Sequence, residues 1–437
     1  MNLDQLKHLF VAVGCTRLFA KVLAENDNSK NQVYFAGDVA ALNVFPSKKI
    51  FAENTKRGPS FKSLLNFFWL LPNGQTAAVP GAQLILYAQY PEVRFSGFLK
   101  GCSQAPSDLM ATRIDKRVLF LGVTNDRRVI GFVVGPDSEV AKEVRATSLQ
   151  PTKGVFIEWG LPNVPAAADA RLRLLAELRR IHHLGWIDSK QLDSTGRVKP
   201  CKAPQCGGFT LEAELGISKN SSSKPDYLGW EVKQFAVRNF ERFELSSPIT
   251  MMTPEPTAGY YKERSVPDFV RRFGYVDKTG RQNRMNFGGR HFVDLRCEST
   301  GLTLRLQGFD SESGKITDAC GQLVLVSESG EVAAAWSFEK VLEHWAAKHT
   351  KAVYVPSKLL SEPKIQYSYG HTVRLAEGTD SLFFLKALAT GHIFYDPGIK
   401  LEQTAVGREK FKARSQFRVA SKNINALYRN VESLDLR

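Results

Sequence analysis

One stretch of this chain gathers residues that could hydrolyse a phosphodiester. Residues 207–237 read GGFTLEAELGISKNSSSKPDYLGWEVKQFAV. Asp226 follows Pro225 at the end of a polar turn, and Glu231, Val232 and Lys233 come next on an apolar background. Alternate residues of a strand share a face, so Glu231 and Lys233 project to one side, roughly 7 Å apart, while Trp230 and Val232 enter the opposite layer. Asp226, at the turn into the strand, can swing next to Glu231. Glu212, one helix upstream, can complete an acidic cluster. Carboxylates of this kind hold Mg²⁺ through hard oxygens and leave room for water and a phosphate oxygen. The ion lowers the pKa of a bound water and offsets charge in the transition state. A lysine beside it can orient or deprotonate the attacking water, or neutralise the phosphate.

An E-V-K triplet on a strand is often no more than a solvated face. Three features set this one apart: apolar alternate positions in the strand, a Thr210-Leu211-Glu212 helix before Asp226, and the serine-rich connector Ser218–Lys224, which cannot be core.

The elements that must position these residues follow from periodicity. The pattern predicts a helix over about Phe209–Ile217 and a strand over Trp230–Val237. A helix over Arg171–Leu184 carries an apolar stripe of Leu172, Leu175 and Leu178, with Leu174 and Ile181 beside it, and Gly185 stops it. Thr303–Phe309 and Gln322–Ser327 alternate like paired strands. Ser337–His349 reads as a helix offering Val341, Leu342, Trp345 and Ala346 to a core. Val353–Val355 and Ile393–Tyr395 read as short strands. This mixture predicts an α/β layer domain. Before the Pro- and Ala-rich junction 159–170 the chain looks different. Gln32–Phe35, Gln83–Tyr87, Val118–Leu121 and Val129–Val134 are strand-like and punctuated by turn formers, which predicts a β-rich barrel or pseudobarrel. Helices are expected near Asp4–Val13 and Phe61–Trp69.

At 437 residues the chain is too long for one ordinary domain, and 43% apolar residues suffice for real cores. Lys and Arg number 59 against 44 Asp and Glu, a net charge of +15. The excess is +6 up to residue 165 and +9 beyond it, so it is not a basic tail. That distribution favours an anionic partner such as nucleic acid on both parts. No stretch reaches the ~20 apolar residues of a membrane span. The first residues lack the basic start and apolar core of a signal peptide. Six cysteines are not a disulfide framework, and only Cys201 and Cys206 lie close together, without a second pair at zinc spacing. The chain therefore reads as a reduced, cytosolic protein.

At Thr210-Leu211-Glu212, Pro225-Asp226 and Glu231-Val232-Lys233 the chain resembles the PD-(D/E)xK nucleases of the MutH-like group, most closely the MvaI/BcnI restriction endonucleases. The resemblance continues at Gly185-Trp186, Ser194–Gly196, Ile249-Thr250, Arg272–Tyr275, Trp336–Phe338 and Gln416–Arg418, and so covers about 175–437. It implies a MutH-like α/β nuclease domain with Glu212, Asp226, Glu231 and Lys233 as the active site and Asp226, Glu231 and Glu212 on Mg²⁺. It further implies a monomer that cuts double-stranded DNA one strand after the other, leaving 5′-phosphate and 3′-hydroxyl ends. The insertion Lys199–Gly208, with its two cysteines, departs from the family pattern. Asp396 and Arg418 match base-contacting positions of the family. From chemistry alone, Arg can bridge the O6/N7 edge of guanine and Asp can accept from the cytosine amino group, which suits a G·C-rich site. Lys412, Arg414, Gln416 and Arg418 alternate as on one face of a strand. Basic residues there could equally touch only phosphates. The family's arginine after the Asp is not evident, and Lys400 is the nearest cation. Arg272, Tyr275 and the run Arg281–Arg290 are further candidates for DNA contact.

The first part is similar, over Phe19–Leu23, Asn26-Asp27, Gln32-Val33 and Phe45-Pro46, to the effector-binding domain of EcoRII-type enzymes, a pseudobarrel of the plant B3 kind. That likeness implies two DNA-gripping arms, with Asn26, Asp27, Lys30 and Asn31 on one and Arg94 and Lys100 on the other. The expectation is thus two domains, 1–160 and 175–437, joined by a linker at 161–174. The implied function is a bacterial, cytoplasmic type II restriction endonuclease using Mg²⁺ at a short pseudopalindrome such as CCWGG. It would be stimulated by a second DNA copy and paired genetically with a DNA methyltransferase. A strand-nicking repair endonuclease and a non-catalytic DNA-binding regulator are the competing readings.

Overall fold

The computed structural model describes the chain apart from residues 26–31, 37–43, 57, 90–91, 152–154, 164–166, 204, 219–225, 242–247 and 404–407. Asn26, Asp27, Lys30 and Asn31 of the first expected DNA arm therefore lie outside the described residues, as do Pro225 and most of the serine-rich connector. The chain divides into two compact units, Met1–Asp169 with Ile316–Ala319, and Ala170–Lys315 with Cys320–Arg437. The segment 161–174, expected as a linker, runs into a helix, Ala167–His183.

The first unit is β-rich. One sheet orders the strands Ile157–Trp159, Cys15–Val22, Val118–Thr124, Val129–Val134, Phe67–Leu70 and Thr76–Ala78. The other orders Gln32–Ala36, Glu92–Ser96, Gln83–Tyr87, Gly58–Leu65 and Ser47–Thr55. Both are open, and no closed barrel forms among the described residues. The chain crosses between them at Asn66, where Gly58–Leu65 ends in one sheet and Phe67–Leu70 joins the other, parallel to Val129–Val134. A helix expected over Phe61–Trp69 is therefore absent. Phe61, Ser63 and Leu65 are buried while Leu64 is exposed, a period of two that a helix cannot satisfy. Phe19, Phe35, Phe45, Phe95 and Phe156 pack edge-on or tilted at 4.9–6.4 Å. Such pairs add about 0.5–1.5 kcal/mol each beyond the apolar area they bury. The helix Leu3–Ala12, closed by an Asn2–Gln5 capping box, buries Leu6 and Phe10 with the first sheet.

The second unit is built on a sheet ordered Ile187–Asp188, Gln366–Tyr369, Lys351–Leu360, Thr372–Glu377 and Asn430–Asp435, with Glu231–Ala236 added in parallel to Lys351–Leu360. The helices Ala167–His183 and Cys206–Glu214 cover one face. Leu174, Leu178, Ile181 and Leu211 meet Trp230, Val232, Val353, Val355 and Leu375 there. Leu172, expected on the apolar stripe, is 66% exposed, because the buried row runs through Leu174, Leu178 and Ile181 instead. Alternation sends Glu231, Lys233 and Tyr354 to the opposite face. Thr303–Gln307 pairs with Gln322–Val326, and Phe338–Lys348 forms a helix capped by the Ser337 side chain.

Two smaller sheets share one long ribbon. Ile393–Tyr395 lies against Phe417–Val419 and, further out, Gly398–Gln403 lies against Glu409–Lys412. The register is the same in both stretches: Tyr395 faces Phe417, and Lys400 faces Lys412. Asp396 and Gly398 donate their N–H groups to Gln416 and Arg414 between them. Pro397, between these two donors, would turn its N–H away from this partner strand, so its missing N–H does not break the ladder. Ile249–Met252 extends the inner end, and Arg284–Gly288 followed by Tyr275–Val276 extends the outer end.

Candidate active site and nucleic-acid interface

The edge strand Glu231–Ala236 and the turn before it place three of the expected residues. Lys233 Nζ stands 2.5 Å from Glu231 Oε1, so the two side chains do share a face. The Glu231 side chain is only 2% exposed and that of Lys233 18%. The two side chains thus form an ion pair in a largely buried setting. Asp226 Oδ2 accepts the backbone N–H of Val232 at 2.9 Å, which ties the turn to the start of the strand. The turn itself closes through Tyr227 and Trp230, whose backbones exchange hydrogen bonds. Behind the pair lie two buried tyrosines. The Tyr354 and Tyr428 hydroxyls are 3.0 Å apart. Burial raises both phenols above their ordinary values, and the charge of Glu231 raises them further, so both stay neutral.

Glu212 is placed differently. Its helix packs on the face that Trp230 and Val232 enter, where Leu211 is buried. Thr210 fastens that helix to the backbone of Lys190, and the Tyr369 hydroxyl donates to Gly207 O at 2.7 Å. The expected cage of three carboxylates is not assembled: among the described residues no three His, Cys, Asp or Glu side chains are grouped to hold a metal ion. The Glu212 helix packs on the face of Trp230 and Val232, and Glu231 projects to the other. The donor set of Asp226 and Glu231 remains, two hard-oxygen carboxylates. That set suits Mg²⁺, which takes one or two protein carboxylates and completes its shell with water and phosphate oxygens.

Cys201 and Cys206, expected as reduced thiols, form a disulfide at the start of the Glu212 helix, and both are buried in the core beneath Trp230. It pins the last residue after the hairpin Lys190–Leu192/Val198–Pro200 to the first turn of that helix. Spacing alone had no partner strand to suggest for them.

The ribbon collects most of the expected DNA-contacting residues. Its register puts Asp396, Lys400, Lys412, Arg414, Gln416 and Arg418 on one face, while Ile393, Tyr395, Ile399, Phe417 and Val419 are buried on the other. The alternation read from Lys412 to Arg418 thus holds, although the residues belong to two sheets. Arg418 Nη1 donates to Asp396 Oδ2 at 2.8 Å and Nη2 to Pro248 O at 2.6 Å. The two expected base readers therefore hold each other. Lys400 faces Lys412, and burial together with Arg284, Arg414 and Arg281 lowers the Lys400 pKa. Tyr275 begins a strand beside the ribbon, opposite Asn286. Arg272 stands apart on the helix Val266–Phe273 and pairs with Glu331 at 2.9 Å. In the first unit, Arg94 forks onto Glu92 at 3.0 and 3.1 Å and stacks over Tyr34. Lys100 is exposed in the turn after that strand. Sequence reasoning missed Tyr354 and Tyr428, because nothing in their local pattern links them to a strand more than a hundred residues away.

The profile of the MvaI/BcnI restriction endonuclease family matches residues 175–428. Among solved structures, the restriction endonuclease MvaI in complex with cognate DNA substrate is similar at 16% identity and a TM-score of 0.46, over 61% of this chain and 99% of that one. MvaI in the absence of DNA is similar at 15% identity and a TM-score of 0.33, over 61% and 98%. No curated protein matches. With the family profile spanning more than half of its length, the chain belongs to the MvaI/BcnI restriction endonuclease family.

Proposed function

We propose that this protein is a type II restriction endonuclease that cuts double-stranded DNA at a short, G·C-rich pseudopalindrome of the CCWGG kind. Asp226, Glu231 and Lys233 would do the chemistry, in a PD-(D/E)xK arrangement of the MutH-like type. The observation that carries this reading is the Glu231–Lys233 pair on a strand whose preceding turn delivers Asp226 to the Val232 N–H. Asp226 and Glu231 would hold Mg²⁺, which supplies Lewis-acid stabilisation of the phosphate and a more acidic water. Lys233 orients the attacking water and neutralises charge on the phosphoryl oxygens. Water attacks phosphorus, the bond to the 3′ oxygen breaks, and the ends carry 5′-phosphate and 3′-hydroxyl. Glu212, on the adjoining helix, is the remaining candidate acid, outside the pair in this conformation.

The first unit is proposed to bind a second DNA copy and stimulate cutting, through Arg94, Lys100 and the arm expected at 25–32, in a B3-like manner. Its excess of basic residues and its open polar sheet face support this. The protein is proposed to act as a monomer in the bacterial cytoplasm beside a DNA methyltransferase that protects the same site. Digesting a sequenced plasmid with Mg²⁺ and mapping the ends tests the reading. Double-strand breaks at one repeated short sequence are expected, faster on two-site than on one-site substrates. Nicks in one strand only, or no cutting, would overturn it.

A further inference from the structure

A row of four side chains crosses the outer sheet of the ribbon. Tyr275 faces Asn286, Asn286 faces Lys400, and Lys400 faces Lys412. Partners in register share a face, so Tyr275, Asn286, Lys400 and Lys412 form one continuous strip. The opposite face is closed by Phe287, Ile399 and Leu401, all buried. The next row on the strip is Gly288 opposite Gly398. Neither glycine adds a side chain to the strip, and the Tyr275 hydroxyl and the Arg414 side chain border them.

Asn286 differs from its neighbours in being fixed. Its Nδ2 donates to Asp277 Oδ2 at 2.8 Å, and its Oδ1 accepts from Arg284 Nε at 3.2 Å. Arg284 and Asp277 are themselves paired at 3.3 Å, with side chains 9% and 4% exposed. These two contacts decide which end of the amide is oxygen and which is nitrogen. They occupy one N–H and one lone pair, and leave one of each on an amide that is half-buried at the centre of a cationic strip.

We propose that Asn286 reads an adenine through its N6/N7 edge in the major groove, with Asp277 and Arg284 as its positioning residues and Lys400 and Lys412 on the flanking phosphates. This rests on the DNA-cutting reading and adds to it a specificity-determining residue. An asparagine side chain offers the one acceptor and one donor that adenine N6–H and N7 require, and lysines on either side suit the backbone.

The test is selection of bound duplexes from a pool with randomised positions, using full-length protein without divalent metal so that no duplex is cut. Asn286→Ala should flatten the preference at one A·T pair by about tenfold and leave the other positions unchanged. Asn286→Ser, whose hydroxyl is too short to bridge N6 and N7, should flatten the same position, and it stands in should the alanine variant not fold. Lys400→Ala should weaken every sequence alike. The assignment is overturned if the wild-type profile survives both Asn286 variants, or if Asn286→Ala weakens all sequences equally. A wild-type protein with no preference at any position would instead sink the restriction-endonuclease reading itself.

Discussion

Lys233 and Glu231, two residues apart on an edge strand, meet at 2.5 Å with the carboxylate 2% exposed. A buried charge that loses its partner is costly, whereas losing both is much less so. Lys233→Met should therefore destabilise the protein by roughly 3–5 kcal/mol, and the double variant with Glu231→Gln should recover a large part of that loss. Chemical denaturation of the two single variants and the double checks it. Additive losses would show that the pair is not coupled.

Substitution separates the turn bond of Asp226 from its proposed catalytic part. Its Oδ2 receives the Val232 N–H, which an asparagine oxygen can still do. Asp226→Asn should keep stability within about 1 kcal/mol of wild type yet lose cleavage, whereas Asp226→Ala should lose cleavage and also about 1–3 kcal/mol. Thermal melts beside single-turnover cutting rates report both. An active asparagine variant would assign Asp226 to the turn alone.

The Asp396–Arg418 pair closes the two expected base readers on each other, with side chains 19% and 23% exposed. Base reading by Arg418 then requires it to leave Asp396 or Pro248 O. Arg418→Ala should lower affinity for a cognate duplex by about 1–3 kcal/mol more than for an unrelated duplex. Equal losses on both would make the pair a brace for the ribbon and nothing more.

Cys201 and Cys206 are joined, and Cys15, Cys102, Cys297 and Cys320 are thiols outside that disulfide. Denatured, non-reduced protein should titrate four thiols, and reduction should add two. For so short a loop the cross-link contributes about 2 kcal/mol, so Cys201→Ser with Cys206→Ser should lower the melting temperature. Six thiols before reduction would return the cysteines to the reduced state that composition suggested.

Much of the strand Glu231–Ala236 was legible beforehand because a period of two is a local property. Glu231 and Lys233 must share a face, and Trp230 and Val232 must share the other. The same rule served the ribbon from Lys412 to Arg418. It failed where several continuations were equally apolar. Phe61–Trp69 reads as a helix by density of large side chains, yet Asn66 divides it between two sheets. Leu172 looked like part of a stripe, but which leucines turn inward depends on where the sheet lies. Long-range partnerships left no local trace: Tyr354 with Tyr428, or Asn286 with Lys400.

The account stands most directly on the cutting of supercoiled plasmid by wild-type protein and by Glu231→Gln, with and without Mg²⁺, while binding to the same DNA is followed in parallel. It predicts linear product from wild type only when Mg²⁺ is added, and a loss of cutting of about 10²–10⁴-fold in the variant with binding retained. Wild-type rates from Glu231→Gln, or cutting by wild type that needs no divalent ion, would contradict it.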